Sequence, residues 1–199
     1  TRHRILGVKT TAAAQVLFVD TPGLHQNAGR AINRYMNRAA DSAIADVDVV
    51  VMVVEALRWT EEDEAVAARC EASGHPLLVA LNKVDRVKDK TRLLPRLQEL
   101  GARLRGAELF PVSARSGDGL GPLEAAVVAA LPAAPPLFPE DQVTDRSVHF
   151  LAAETVREKL MRRLGEELPY RLTVEMEGFE ETPEQATVHA LVWVEGEKQ

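Results

Sequence analysis

Leu77-Leu78-Val79-Ala80-Leu81-Asn82-Lys83-Val84-Asp85 is the stretch that decides the fold. Its unbroken apolar run stops abruptly at Asn-Lys-x-Asp. A strand that apolar has both faces covered, which is the pattern of a buried strand in a parallel sheet. Ligands of such sheets bind beyond the carboxyl ends of the strands. Asn82, Lys83 and Asp85 stand at that address.

The flanking sequence alternates strand and helix patterns. Upstream, Val47–Val54 is almost wholly apolar and reads as another strand. Thr60-Glu61-Glu62-Asp63 reads as a capping box opening a helix to about Ser73, and Gly74 and Pro76 end it. Further upstream, an amphipathic helix is expected from about Gly29 to Ala45. It follows a strand at Val16–Val19 that returns from a β segment at Ile5–Thr10. Downstream, a helix is expected from about Asp89 to Leu104, a strand at Leu109–Val112 and a helix from Leu120 to Leu131. Strands alternating with helices imply right-handed crossovers and a mostly parallel sheet covered on both faces.

Four prolines in eight residues at Pro132–Pro139 read as a stiff, extended linker. The expected organisation is an α/β domain over 1–132, a linker over 133–147 and a partial α+β domain over 148–199. In the last, Asp145 is expected to cap a helix running to about Leu164, followed by strands at Tyr170–Phe179 and Thr187–Val194.

Composition restricts the function. The 199 residues carry 24 Lys+Arg and 30 Asp+Glu, a net charge of −6. Residues 140–199 hold 7 of the cations and 14 of the anions, a poor electrostatic partner for nucleic acid. The single cysteine, Cys70, excludes a disulfide framework and a cysteine-based zinc site, and is expected to be a packed or half-exposed thiol rather than a nucleophile. No apolar run approaches the ~18 residues of a membrane span. No signal-peptide pattern is present, so the expected compartment is the cytoplasm.

Three signals stand at predicted strand ends. Asp20-Thr21-Pro22-Gly23 is turn chemistry, but a carboxylate there can hold Mg²⁺ directly or through water. A glycine three residues on lets a backbone N–H approach a phosphate. In Asn82-Lys83-Val84-Asp85, an ionised carboxylate accepts only, so Asp85 can take the two adjacent donors of guanine, N1–H and the N2 amine. Adenine would leave it facing a lone pair, and unpaired polar groups are how such a site rejects the wrong base. Asn82 can donate toward N7, and the Lys83 stem can cover the base. Val112-Ser113-Ala114 ends the next strand, where the Ala114 N–H can reach guanine O6.

In this order the three motifs resemble those of translation-factor-type GTPases. The chain more closely resembles the Era-type bacterial GTPases. The further stretches that carry this are Thr1-Arg2-His3-Arg4, Leu24-His25, Arg30–Arg34, Arg58-Trp59-Thr60, Phe138–Asp141, Thr144–Ser147, Arg157–Arg162 and Glu167–Tyr170. The resemblance implies a Ras-like P-loop NTPase domain that binds GTP or GDP with Mg²⁺, followed by a KH-type RNA-binding domain. It implies GTP binding by Asp20, Thr21, Pro22, Gly23, Leu24, Asn82, Lys83, Val84, Asp85, Val112, Ser113 and Ala114, and Mg²⁺ at Thr1 and Asp20. It also implies hydrolysis as a switch in small-subunit assembly. The implied partners are the 3′ end of small-subunit rRNA and the 30S subunit, with peripheral association at the cytoplasmic side of the inner membrane.

Two family features do not occur within residues 1–199. One is the phosphate loop Gly-x-x-x-x-Gly-Lys-Ser/Thr, expected upstream of Thr1. The other is the Gly-x-x-Gly loop of KH domains, expected past Gln199. Leu24 stands where Ras-like enzymes place a water-orienting Gln, so no general base is assigned. The 199 residues alone are expected not to hydrolyse GTP. The competing readings are a non-catalytic interaction scaffold and a sister ribosome-assembly GTPase with another appended domain.

Overall fold

The computed structural model describes residues 5–20, 42–163, 172–182 and 184–194. The strands are β1 (Ile5–Thr10), β2 (Gln15–Asp20), β3 (Val50–Glu55), β4 (Leu77–Asn82), β5 (Glu108–Pro111), β6 (Leu172–Glu181) and β7 (Ala186–Val194). The helices are α1 (Glu61–Ala72), α2 (Leu93–Arg103), α3 (Leu120–Ala130) and α4 (Val148–Arg163). The chain divides into two compact units, Thr1–Val143 and Thr144–Gln199. Of the amphipathic helix expected over Gly29–Ala45, only residues 42–45 are described, and they are helical.

In the first unit β3, β4 and β5 form a parallel sheet in that order, and β1 and β2 form an antiparallel hairpin. The apolar run is the central strand. Its alternation sends residues to opposite faces. Val79 and Leu81, both wholly buried, join Val50, Met52 and Val54 of β3 against Ala67 and Cys70 of α1 and Leu100 of α2. Leu78 faces the other way, toward Val127 of α3 and Val16 of β2. Each buried valine, leucine or methionine among them contributes about 1.5–3 kcal/mol. The site downstream therefore stands on a strand that cannot shift without opening both cores.

Local sequence sets the element ends. Thr60 accepts from Asp63 N at 3.1 Å, and Asp63 Oδ2 accepts from Thr60 N at 2.8 Å, so the capping box forms with aspartate in its fourth place. Trp59 packs against the β3–β4 core, flanked by the guanidiniums of Arg96 and Arg103. The proline-rich segment is docked rather than free. Gln15 of β2 accepts from Leu137 N at 2.8 Å and Phe138 N at 2.9 Å, and donates to Phe138 O at 2.9 Å.

In the second unit β6 and β7 pair antiparallel, and α4 packs on β6. One expectation changes here. Ser147, not Asp145, caps α4, its hydroxyl accepting from Phe150 N at 3.3 Å. Asp145 stands too early in the chain to reach that N–H. Trp193 is 55% exposed on β7, with its indole N–H donated to Glu175 across the ladder.

Candidate nucleotide-binding site

β4 ends with a sharp change of direction. Lys83 has φ 65° and ψ 32°, the one positive-φ residue other than glycine among the described residues. That conformation costs an L-residue about 1–2 kcal/mol, so something must hold it. Asn82 Oδ1 accepts from Lys83 N at 2.7 Å, and the chain then closes into a 3₁₀ turn over Val84–Arg86. The Lys90 ammonium donates to Val84 O and fixes the turn from behind. The Lys83 ammonium meets Glu55 Oε2 at 3.0 Å. Glu55 lies opposite Asn82 in the β3–β4 register, which puts it within reach. Hydrogen bonding and charge from Lys83 hold the Glu55 carboxyl below its ordinary range.

The end of β5 is stitched to the same turn. Val112 N donates to Leu81 O at 2.9 Å, and Val84 N donates to Val112 O at 3.2 Å. Asn82 Oδ1 takes a second bond from Ala114 N at 3.0 Å, so one side chain braces both loops. Ser113 is wholly buried. Its hydroxyl donates to Asp85 Oδ1 at 2.8 Å and accepts from Ser116 N at 3.2 Å. The Ser113 bond is the first cause that holds the Asp85 carboxyl below the usual carboxylate range, with Arg86 and Arg115 adding smaller electrostatic contributions.

The loop that presents Ser113 folds on itself. Ser113 N donates to Asp118 O and Gly117 N to Ser113 O, each at 2.8 Å. Gly119 follows with φ 73°, and a Cβ on it would lie 2.2 Å from Pro111 O. Only glycine lets the loop close this tightly over the strand end.

The chemistry of this arrangement is specific. Asp85 is an exposed, ionised acceptor whose Oδ1 is oriented by Ser113, leaving Oδ2 and a second Oδ1 lone pair for two neighbouring N–H donors. Asn82 has committed Oδ1 to the two loops, so its amide N–H₂ is the group left to donate outward. The Ala114 N–H, expected at a base oxygen, is here given to Asn82.

Sequence reasoning brought Asn82, Lys83, Asp85, Val112, Ser113 and Ala114 together, and they lie on these two adjoining loops. It missed the Ser113 hydroxyl as the orienting group, Glu55 as the Lys83 partner and Gly119 as the loop closure. A serine just past the end of a strand and the Gly-x-Gly that follows it were the available signals. Asp20 ends β2 and is exposed. Thr1, Thr21, Pro22, Gly23 and Leu24 lie outside the described residues. Among the described residues no group of three His, Cys, Asp or Glu side chains can hold a metal. Asp20 alone fits an ion that takes one carboxylate and keeps water or phosphate oxygens for the rest, as Mg²⁺ does.

Residues 1–83 match the family model described as 50S ribosome-binding GTPase. The chain superposes on a crystal structure of Era in complex with MgGDPNP and nucleotides 1506–1542 of 16S ribosomal RNA. The TM-score is 0.90 at 30% identity, covering 99% of this chain and 68% of that one. A point variant of Era from Aquifex aeolicus bound to GDP and AlF₄⁻ gives the same values. The fold is therefore the P-loop GTPase fold of Ras-like type. Proteins called GTPase Era from Azotobacter vinelandii and Pseudomonas aeruginosa are 53% and 52% identical over all 199 residues. The chain belongs to the Era family of GTPases. It spans about two thirds of those relatives' length, 66% and 65%.

Proposed function

We propose that the protein is a GTP-binding and GTP-hydrolysing switch acting in assembly of the small ribosomal subunit. The observation that carries this reading is the pair of loops at the ends of β4 and β5. There a buried serine aims an exposed carboxylate at 2.8 Å, and one asparagine braces both loops. In this reading Asp85 takes guanine N1–H and the N2 amine, Asn82 donates to N7, and the Lys83 stem covers the base with its ammonium anchored on Glu55. Ala114 N–H turns from Asn82 to O6, or shares the two. Val84 and Val112 form the strand-end backbone of the pocket. The same reading assigns Asp20, Thr21, Pro22, Gly23 and Leu24 to GTP binding, and Thr1 and Asp20 to Mg²⁺, which would supply charge neutralisation on the phosphates.

The second unit is read as the amino-terminal part of a KH-type domain. Its helix and two strands, with the likeness to an Era structure holding a 16S rRNA segment, support RNA binding at the 3′ end of small-subunit rRNA. We place the phosphate loop and the Gly-x-x-Gly loop in the third of the relatives' length outside residues 1–199, and expect the 199 residues alone to be inactive. Such a protein works in the cytoplasm on the 30S subunit, with peripheral contact at the inner membrane as a further expectation. No described helix is long and apolar enough to cross a membrane.

Competition for labelled GDP on the full-length protein tests the reading. Unlabelled GDP and GTP should displace the label, and ADP and ATP should not. Displacement by adenine nucleotides at similar concentration would refute the base assignment.

A further inference from the structure

The turn after β4 carries more charge than base recognition uses. Arg86-Val87-Lys88-Asp89-Lys90-Thr91-Arg92 holds four cations and one anion in a chain of net charge −6. Between this turn and the end of β3 lies a cleft of about 340 Å³, lined by Glu55, Leu57, Lys83, Arg86, Lys88 and Arg92 among others. Its apolar base is closed, with Ala56 1% and Val87 8% exposed.

The polar groups of the turn divide into two sets. Lys90 is tied to Val84 O, Lys83 to Glu55, and Asp89 accepts from Thr91 N at 3.1 Å and Thr91 Oγ1 at 2.6 Å. These bonds hold the shape of the turn. Arg86, Lys88 and Arg92 are exposed, and none of them has a hydrogen-bonded carboxylate among the described residues. Four cations, Lys83, Arg86, Lys88 and Arg92, line the cleft against two carboxylates, Glu55 and Asp89, and with three of the four exposed and free of a hydrogen-bonded carboxylate among the described residues this braced turn forms a preorganised anion site. The arginine forks match phosphate oxygens in pairs.

We propose that this cleft grips the phosphodiester backbone of RNA, giving the first unit its own RNA contact. The proposal rests on the RNA-binding reading above. A lipid surface fits less well, because membrane attachment adds inserted apolar side chains. The apolar groups of this cleft, Ala56, Leu57 and Val87, are buried or half-buried. Because Glu55 and Lys83 line the same cleft, an RNA phosphate there would lie beside the residues that hold the base-reading turn.

The test is the salt dependence of RNA affinity for the full-length protein and for Arg86→Gln/Lys88→Gln/Arg92→Gln. The probe is a single-stranded RNA of the 16S 3′-end sequence. Each phosphate contact on a single strand contributes about 0.7 to the slope of log affinity against log salt, so the triple variant should lose about 2 from the slope. Its affinity at 0.1 M salt should fall roughly tenfold to a hundredfold. Arg86→Lys/Arg92→Lys keeps the charge and should keep the slope. Circular dichroism melts establish that each variant is folded, and a triple variant that fails to fold is replaced by the single Lys88→Gln and Arg92→Gln variants, each expected to lose about 0.7.

An unchanged slope in folded variants, with RNA bound by the unaltered protein, would overturn this proposal alone. Absence of RNA binding by the unaltered protein would overturn it together with the reading it rests on. Loss of binding to phosphatidylglycerol vesicles with an unchanged RNA slope would assign the cleft to a membrane surface and overturn it as well.

Discussion

Gly119→Ala should damage this protein more than the same change at any other positive-φ glycine among the described residues. Gly119 precedes α3 at φ 73° and ψ 0°. An added Cβ would lie 2.2 Å from Pro111 O, 3.2 Å from Pro111 C and 3.3 Å from Val112 Cα. Two costs add. The left-handed conformation costs an L-residue about 1–2 kcal/mol. The overlap is with backbone, so no rotamer change relieves it and the end of β5 must move. Forced shifts of packed structure cost about 1–3 kcal/mol. The sum is roughly 2–5 kcal/mol.

At about 2–4 °C of Tm per kcal/mol for a chain of this size, the melting temperature should drop by roughly 4–20 °C. Gly106 supplies the control. Its φ is 92°, yet a Cβ added there would meet nothing within 4 Å, so Gly106→Ala bears only the conformational cost. Thermal unfolding followed by circular dichroism measures both. In the full-length protein Gly119→Ala should also weaken GDP binding, because Ser113 and Ala114 follow the displaced strand end, while Gly106→Ala should not. Equal melting temperatures for the two variants would refute the reasoning.

Three further outcomes follow from the same geometry. Ser113→Ala removes the main cause of the lowered Asp85 pKa. In the native protein the ionised form persists until pH falls below the usual carboxylate range, and in the variant it is lost at higher pH. A carboxyl-carbon NMR titration of Asp85 should show its midpoint move upward, and an unmoved midpoint would refute the role of the serine. Cys70 is 2% exposed, and burial pushes its thiol pKa up. A thiol reagent should therefore label it only as fast as the domain unfolds, whereas immediate labelling at a pH of about 8, near the ordinary thiol pKa, would contradict the packing. Thr60→Ala deletes the capping box of α1 and should cost about 1 kcal/mol in urea unfolding, with no loss of stability counting against it.

The sheet was legible because β4 is apolar at five consecutive positions, a pattern that only two-sided burial explains. The polar residues at its end were legible for the same reason, since the strand dictates where they stand. The orienting role of the Ser113 hydroxyl was not, because it lies in a bond to a residue 28 positions away. Glu55 became visible only through the β3–β4 register. The cap of α4 went to Ser147 rather than Asp145 because helix starts depend on which side chain meets an open N–H, and several neighbours are competent. The proline-rich segment reads as a spacer by composition, and its docking depends on the amide of Gln15, 122 residues before Leu137.

The central claim is that Asp85 reads guanine through two adjacent N–H donors. The direct measurement is the affinity of full-length Asp85→Asn for GDP and for xanthosine diphosphate, whose C2 carries an oxygen in place of the amine. Replacing one acceptor by a donor should weaken GDP binding and strengthen binding of the xanthine nucleotide, reversing the preference. Unchanged GDP affinity in a folded Asp85→Asn variant would contradict the claim.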